Sequence, residues 1–127
     1  MMQDEVNKIV FNALADGWEI WFPGVGSLVP EFRSAWRASA RQLERPSRRI
    51  AFPLSEQRGV SVIDLIARAG ACDVAAAEDI YSRWLDKARV EDGISIPGVG
   101  ELNHRYFRLD PQLDAVLNPL GHDPLPL

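Results

Sequence analysis

The side chains that most often carry catalysis or bind metals are few and scattered in this chain of 127 residues. Its only histidines are His104 and His122, and its only cysteine is Cys72. None of them has the spacing to carboxylates that a catalytic or metal site requires, and one cysteine cannot form an internal disulfide. We therefore expect a protein that is not an enzyme, with no metal site, no cofactor and no small-molecule substrate.

Arginine is the residue type whose clustering suggests a binding function. The formal net charge is −4, yet residues 31–60 hold seven arginines against three glutamates, a local charge of +4. The remaining residues have a charge of −8, and this asymmetry requires an explanation. Two interpretations are open: the arginines contact DNA phosphates, or they form a solvated face that pairs with the acidic body. The candidate contact residues are Arg33, Arg37, Arg41, Arg45, Pro46, Arg48 and Arg49.

The chain contains an internal repeat, and the arginine-rich segment lies between its two copies. Pro23-Gly24-Val25-Gly26 recurs as Pro97-Gly98-Val99-Gly100, with an apolar residue immediately before each copy and a leucine two residues after it. Two glycines separated by one residue in a strand pattern indicate a bend that requires positive φ or a close backbone approach. We predict structural bends at Gly24, Gly26, Gly98 and Gly100, and not a phosphate-binding loop, because the third glycine, the Lys-Ser/Thr pair and the following helix are missing.

The same kinds of element surround both copies. A helical apolar spacing precedes each copy, and a short strand-like run follows it, over residues 49–52 and 105–109. The second copy has more helix: residues 62–69 predict one helix, and Asp73 is a suitable N-cap for another over 74–89. Asp110-Pro111-Gln112 predicts the start of a short helix that ends at Leu117. The prolines and glycine of the segment 120–127 predict a tail without regular structure.

This order of elements resembles the HU and integration-host-factor proteins. A helical hairpin leads into a strand, an apolar-Gly-x-Gly bend, a second strand, a return strand containing phenylalanine, and a final helix. The whole chain looks most like bacterial tandem HU-like proteins, in which a shortened first unit precedes a complete second unit. The matching segments are residues 22–26 and 46–52 in the first unit, and 62–67, 75–89, 96–102 and 107–111 in the second.

The resemblance implies an α+β fold of two repeated units, each with a helix or helical hairpin and a small antiparallel sheet. We expect the first unit over residues 1–58, with a long arginine-rich insertion at 31–49, and the second over 59–119, followed by the Pro-rich tail at 120–127. The two units would form an intramolecular pseudo-dimer, although two chains could equally pair as a homodimer. HU-type proteins bend DNA by inserting the prolines of β-ribbon arms into the minor groove while basic side chains hold the phosphates.

The sequence also departs from the HU pattern. The second unit has only Asn103-His104-Arg105 where an arm would lie, so Arg105 and Arg108 are secondary candidates for DNA contact. In the first unit, Pro46 falls roughly where an arm tip would be. Yet the apolar residues of 31–44 have a helix-like spacing, which leaves helix, packed loop and β-arm open for that segment. A helix would place Arg37 and Arg41 on one face.

The expected function is sequence-independent binding or bending of double-stranded DNA by a cytoplasmic, nucleoid-associated protein. The rival hypothesis is an HU-fold module that contacts another protein and has lost DNA binding. The acidic net charge and the missing second arm favour this rival, as do the four tryptophans, because tryptophan is enriched where proteins meet. Trp84 has the spacing of a core residue, whereas an exposed Trp21 would mark a partner surface. RNA is a further possible ligand.

Overall fold

Short helices and short strands alternate along the chain. In a computed structural model, the residues described are 3–53, 57–103 and 106–126. Over that part of the chain the protein is α+β, with four α-helices and three small sheets. The elements are α1 (Gln3–Ala15), β1 (Ile20–Phe22), β2 (Gly26–Arg33), β3 (Trp36–Ser39), β4 (Gln42–Glu44), β5 (Ser47–Ala51), β6 (Val60–Ser61), α2 (Val62–Gly70), α3 (Val74–Ala88), β7 (Arg89–Val90), β8 (Gly93–Ile96), β9 (Gly100–Asn103), β10 (Phe107–Leu109), α4 (Pro111–Leu117) and β11 (Leu125–Pro126).

The predicted helices over 62–69, 74–89 and 111–117 are confirmed to within one residue, and their ends have local causes. Asp73 caps α3, because its Oδ1 accepts a hydrogen bond of 2.8 Å from the backbone N–H three residues further on. Asp110 caps α4 in the same way, through the backbone N–H two residues further on. The end of α2 is different, because the left-handed position after it is Ala71, with φ of 48°, where glycine is usually found.

The two Pro-Gly-Val-Gly segments form the turns of two hairpins that have the same backbone geometry. In both, the residue before the proline pairs with the second glycine: Phe22 with Gly26, and Ile96 with Gly100. A Cβ at Gly26 would lie 2.6 Å from the ring of Phe52, and one at Gly100 would lie 2.5 Å from the ring of Phe107, so a larger residue would collide at either position. The φ values are 79° at Gly24, 147° at Gly26, 82° at Gly98 and 152° at Gly100.

The strands form three sheets. The first has the order β5-β2-β1-β6, the second β10-β9-β8-β7 and the third β11-β4-β3. All pairs are antiparallel except β1 and β6, which are parallel. The first two sheets each contain one of the Pro-Gly hairpins, and the third is built from the arginine-rich segment and the end of the chain.

One hydrophobic cluster joins the helices to the inner faces of the first two sheets. In α1, Val6, Val10 and Leu14 recur every four residues and are buried, which explains why this stretch forms an amphipathic helix. The indole of Trp84 in α3, predicted to be a core side chain, is buried and stacks on Phe22 with 6.1 Å between ring centroids. Both halves of the chain therefore contribute to the same core.

The outer face of the first sheet is covered, in part, by the chain itself. Strands β5 and β6 are the two opposite edges of this sheet. The backbone N–H of Arg58 donates a hydrogen bond of 2.9 Å to Ser27 Oγ on β2. Ser27 is fully buried, although it alternates with the core residue Leu28 and so faces the other way. The segment leading into β6 therefore covers this face at Ser27.

Candidate nucleic-acid interface

The arginine-rich segment folds into a β-ribbon, which we call the arm and define as residues 31–49. Its base is an extension of β2 and β5 beyond the first sheet, where Phe32 pairs with Arg48. Further out, β3 and β4 continue the ribbon and pair with a bulge after Arg37. The chain reverses at Ala40 and Arg41. Residues 32–37 and 39–42 are exposed, as expected for a ribbon that leaves the core.

Of the three structures left open for residues 31–44, the β-arm is correct, and the helix and the packed loop are wrong. The helical spacing of apolar residues was misleading because both faces of the ribbon meet solvent, which removes the alternation that marks a half-buried strand. Arg37 lies on β3 and Arg41 lies in the turn, so they do not share a helical face. Pro46 lies between β4 and β5 and not at the tip, because the β3–β4 hairpin extends the arm beyond it.

Two arm arginines contact neighbouring groups of the protein. Arg49 Nη2 lies 2.9 Å from Glu31 Oε2, its direct cross-strand partner. This ion pair is exposed and is worth roughly 0–1 kcal/mol. Arg45 is half-buried, and its Nε donates a hydrogen bond of 2.9 Å to the backbone oxygen of Asp123. Both side chains have a structural contact that DNA would have to share or replace.

The other four arm arginines are the better candidates for phosphate contact. Arg37, Arg41 and Arg48 are exposed, and their guanidinium groups have no hydrogen bond or ion pair with any residue that the structure describes. Arg33 is also exposed, and its guanidinium carbon lies 4.3 Å from the centre of the Trp36 ring. These cations therefore remain available to an anionic partner.

The base of the arm is fixed by the side chain of Asn118, the residue that follows α4. Asn118 Oδ1 accepts a hydrogen bond of 2.7 Å from the backbone N–H of Arg48, and Asn118 Nδ2 donates one of 2.8 Å to the Arg48 carbonyl. Because β5 is an edge strand, these backbone groups have no strand partner on that side. Asp114 in turn accepts a hydrogen bond from Asn118 Nδ2 at 2.9 Å. We call the two hydrogen bonds between Asn118 and the backbone of Arg48 the clamp. The clamp fixes the backbone of Arg48 and leaves its guanidinium group exposed.

The prediction that residues 120–127 lack regular structure is wrong for Leu125 and Pro126. These two residues form β11, which pairs antiparallel with β4 of the arm. Proline is compatible with this position because β11 is an edge strand. His122 Nε2 lies 2.8 Å from Asp114 Oδ1, which ties the same segment to α4. Residues 125 and 126 thus add a third strand beside the outer part of the arm.

The secondary candidates lie elsewhere. Arg108 is exposed on β10, in the second sheet, where its Nη2 lies 2.8 Å from Glu101 Oε2 of the opposite strand. Arg105 lies outside the described residues. The four bend glycines are at the Pro-Gly hairpins and not on the arm. The structure therefore brings together Arg33, Arg37, Arg41, Arg45, Pro46, Arg48 and Arg49 on the arm and places Arg108 on a different sheet.

Sequence reasoning missed two features of this surface. One is Asn118, whose partner Arg48 is 70 positions away in sequence, so no local pattern indicates the clamp. The other is the pair of aromatic side chains on the arm, Phe32 and Trp36, which are 65% and 41% exposed. Phe32 lies between Glu31 and Arg33, and Arg37 follows Trp36, so this signal was available in the sequence.

An open cleft of about 500 Å³ lies between the first Pro-Gly turn and the strands β7 to β9, but no cluster of three or more potential metal ligands occurs among the described residues. In the same part of the chain, no helix is long and apolar enough to cross a membrane.

Burial raises the pKa of the Tyr81 hydroxyl well above its ordinary value, an effect that nearby Arg89 partly opposes.

Comparison of the chain with protein-family models, with curated proteins and with solved structures finds no match.

Proposed function

We propose that the chain is built from two HU-like units, one over residues 1–58 and the other over 59–119, paired within one molecule. The two Pro-Gly hairpins support this proposal because they have the same register and the same glycine conformations. The helices that precede them, α1 and α3, are in direct contact: Trp84 Nε1 on α3 donates a buried hydrogen bond of 2.8 Å to Asn7 Oδ1 on α1.

The contacts between the two halves are also reciprocal. Tyr81 of α3 donates a hydrogen bond of 2.7 Å to the carbonyl oxygen of Pro23, in the turn of the first hairpin. Phe11 of α1 lies beside Gly98, in the turn of the second hairpin. Each helix thus packs against the turn of the other half, which is the arrangement expected of two self-complementary units related by an approximate two-fold axis.

We propose further that the protein is a non-enzymatic DNA-binding protein that holds double-stranded DNA through its arm. The observation that carries this proposal is the exposure of Arg37, Arg41 and Arg48, whose guanidinium groups have no partner among the described residues. The arm as a whole has six arginines against two glutamates on a chain of net charge −4. A ribbon with this charge is attracted to the phosphate backbone in spite of the acidic body. Such a protein would act at the nucleoid.

The chemistry of the arm favours binding without sequence preference. Guanidinium groups that contact phosphates position a protein on DNA but carry no base information. Contact by the first sheet is limited because the segment containing Arg58 covers its outer face at Ser27. Binding would therefore depend on the arm and on the shape and flexibility of the duplex.

A second candidate function is protein recognition by an HU-like module that does not bind DNA. The observation in its favour is Trp18, which is 50% exposed in the turn between α1 and β1. Trp21, which would mark a partner surface if it were exposed, is half-buried. This candidate predicts a surface centred on Trp18 and indifference to the charge of the arm.

The test is a fluorescence-anisotropy titration of a labelled duplex of about 30 base pairs at about 50 and about 200 mM salt. The variant is Arg37→Glu/Arg41→Glu/Arg48→Glu, which reverses the three cations without a described partner. The matched control is Lys8→Glu/Arg83→Glu/Lys87→Glu, which makes the same charge change at exposed positions of α1 and α3.

The wild-type chain should bind the duplex with an affinity that falls steeply as salt increases. In a plot of the logarithm of the binding constant against the logarithm of salt concentration, each phosphate contact should add about one unit to the slope. The arm variant should lose binding at both salt concentrations, and the control should keep most of it. Equal losses in both variants would mean that net charge alone determines the affinity for DNA, which would contradict a site on the arm. No binding by the wild-type chain at low salt would overturn the DNA proposal and leave protein recognition.

A further inference from the structure

The arm exposes two aromatic side chains that the packing of the protein does not require. Phe32 is 65% exposed and Trp36 is 41% exposed, and neither belongs to the hydrophobic core. Exposed aromatic rings on a charged ribbon are unfavourable in water, and phosphate contact alone has no use for them. Their position next to arginines without a described partner suggests a ligand that has both an anionic and a flat apolar part.

The indole of Trp36 is held in place by a cation. The guanidinium carbon of Arg33 lies 4.3 Å from the centre of the ring, which is the geometry of a cation–π contact. Arg33 lies over one face of the indole, and 41% of Trp36 remains exposed. A planar group that stacked on the opposite face would not have to displace Arg33.

Cations suited to a phosphate backbone lie near both rings. Phe32 is the direct cross-strand partner of Arg48, so these two side chains share a face of the ribbon. Arg37 follows Trp36 on β3, and its side chain leaves the opposite face. Both arginines are exposed and have no ion pair with a described residue. Aromatic rings for the bases, with guanidinium groups beside them for the phosphates, are the elements with which proteins hold single-stranded nucleic acid.

We propose that Phe32 and Trp36 form a base-stacking site for unpaired nucleotides. In an intact duplex both faces of each base are covered by its neighbours, so only an unpaired or displaced base can offer a face to Trp36. Stacking of this kind tolerates every base because every base has a π face. The proposal rests on the proposed function in one respect, since the same arginines supply the phosphate contacts.

The experiment compares three fluorescein-labelled probes: oligothymidylate of about 15 nucleotides, an abasic strand of the same length, and the duplex of the same length. The variants are Trp36→Ala, Trp36→Phe and Phe32→Ala. Trp18→Ala is the matched control, because Trp18 is 50% exposed and lies outside the arm. Circular dichroism and thermal unfolding establish that each variant is folded, which is expected since the replaced side chains are exposed.

The Trp36→Ala variant should bind oligothymidylate about tenfold more weakly than the wild type, the loss of one stacked base, while Trp36→Phe recovers part of the affinity. Trp18→Ala should have no effect. The abasic strand should bind the wild type and Trp36→Ala equally, because it offers phosphates but no bases. In a Trp18→Phe/Trp21→Phe background, oligothymidylate should quench the fluorescence of Trp36, since the remaining Trp84 is buried.

Equal binding of oligothymidylate by the wild type and Trp36→Ala would overturn the stacking proposal. Loss of binding to the abasic strand as well would also overturn it, because the effect would then not depend on a base. The two proposals fail separately. Duplex binding that depends on the arginines but not on Trp36 removes the stacking site alone, and Trp36-dependent binding of the single strand without duplex binding removes the duplex proposal alone.

Discussion

Trp84 Nε1 donates a hydrogen bond of 2.8 Å to Asn7 Oδ1, and both side chains are buried. The bond joins α3 to α1, 77 positions apart in sequence. A second bond runs between the same helices, from Gln3 Nε2 to the carbonyl oxygen of Trp84 at 3.0 Å. The Trp84–Asn7 bond lies inside an apolar core, where an unpaired polar group is costly, and the part-buried Gln3 bond supports the same contact between the two halves of the chain.

Replacing Asn7 with alanine should destabilise the protein by about 2 kcal/mol or more, because the Trp84 N–H would remain buried without an acceptor. Denaturant unfolding measures the change. Asn12→Ala is the control, since Asn12 is an exposed residue of the same helix, and its effect should stay within about 0.5 kcal/mol. Equal effects of the two substitutions would mean that the bond contributes nothing specific.

Ala71→Gly should stabilise the protein by about 1 kcal/mol. Ala71 has a φ of 48° at the end of α2, a conformation that is strained for a residue with a Cβ and free of that strain for glycine. The contrasting variant is Ala69→Gly, inside the same helix, which should cost about 0.5–1 kcal/mol. Thermal or denaturant unfolding of both variants gives the two values, and the same sign for both would contradict the strain at Ala71.

Asn118→Ala should loosen the arm without unfolding the body. The substitution removes both hydrogen bonds to the backbone of Arg48, which has no other strand partner at that edge. Hydrogen exchange followed by mass spectrometry should show faster exchange over residues 42–49 and unchanged exchange in α1 and α3. Asp79→Ala, which breaks an exposed ion pair with Arg83, is the control. Faster exchange in the helices as well would make Asn118 a general stability residue.

Tyr81 should make the stability of the protein fall at high pH. Burial raises the pKa of its hydroxyl in the folded state, with nearby Arg89 opposing this in part, whereas the unfolded chain has the ordinary value of 10.0. Above about pH 10 the unfolded state therefore binds fewer protons than the folded state, and the free energy of unfolding decreases as pH rises. Tyr81→Phe should flatten this dependence in denaturant unfolding between about pH 9 and pH 11.

At neutral pH the same Tyr81→Phe variant should be about 1 kcal/mol less stable than the wild type, because the carbonyl oxygen of Pro23 loses its donor. An unchanged slope of stability against pH would show that the phenol is accessible to water in the folded state. Tyr106→Phe is the control, since Tyr106 is exposed.

What the sequence predicted correctly depends on contacts between near neighbours. The caps at Asp73 and Asp110 act on N–H groups two or three residues away, so the helix starts could be located. The fold class could be predicted from the helices and the Pro-Gly hairpins, whereas the HU-like arrangement of the two units remains a proposal.

What the sequence did not predict depends on distant pairing. The arm is a ribbon with both faces in solvent, so Phe32 and Trp36 gave a spacing that also fitted a helix. Strand β11 forms only because β4 lies beside it, and the clamp of Asn118 on Arg48 likewise joins residues far apart in sequence. The arginines could be selected from the sequence by their charge. Their contacts could not, because the strand register decides that Arg49 lies opposite Glu31, whereas Arg37 has no ion pair with a described residue.

The two Pro-Gly hairpins have one register but different continuations: the first extends into the arm, whereas in the second β9 ends at Asn103 and pairs with β10, which begins at Phe107. In an assembly of two identical chains, every substitution appears on both sides, so an arm cannot be lengthened on one side and removed from the other. Here both hairpins belong to one polypeptide, and a mutation changes one of them only. This freedom from enforced symmetry permits one hairpin to acquire a binding surface while the other keeps only its role in the core.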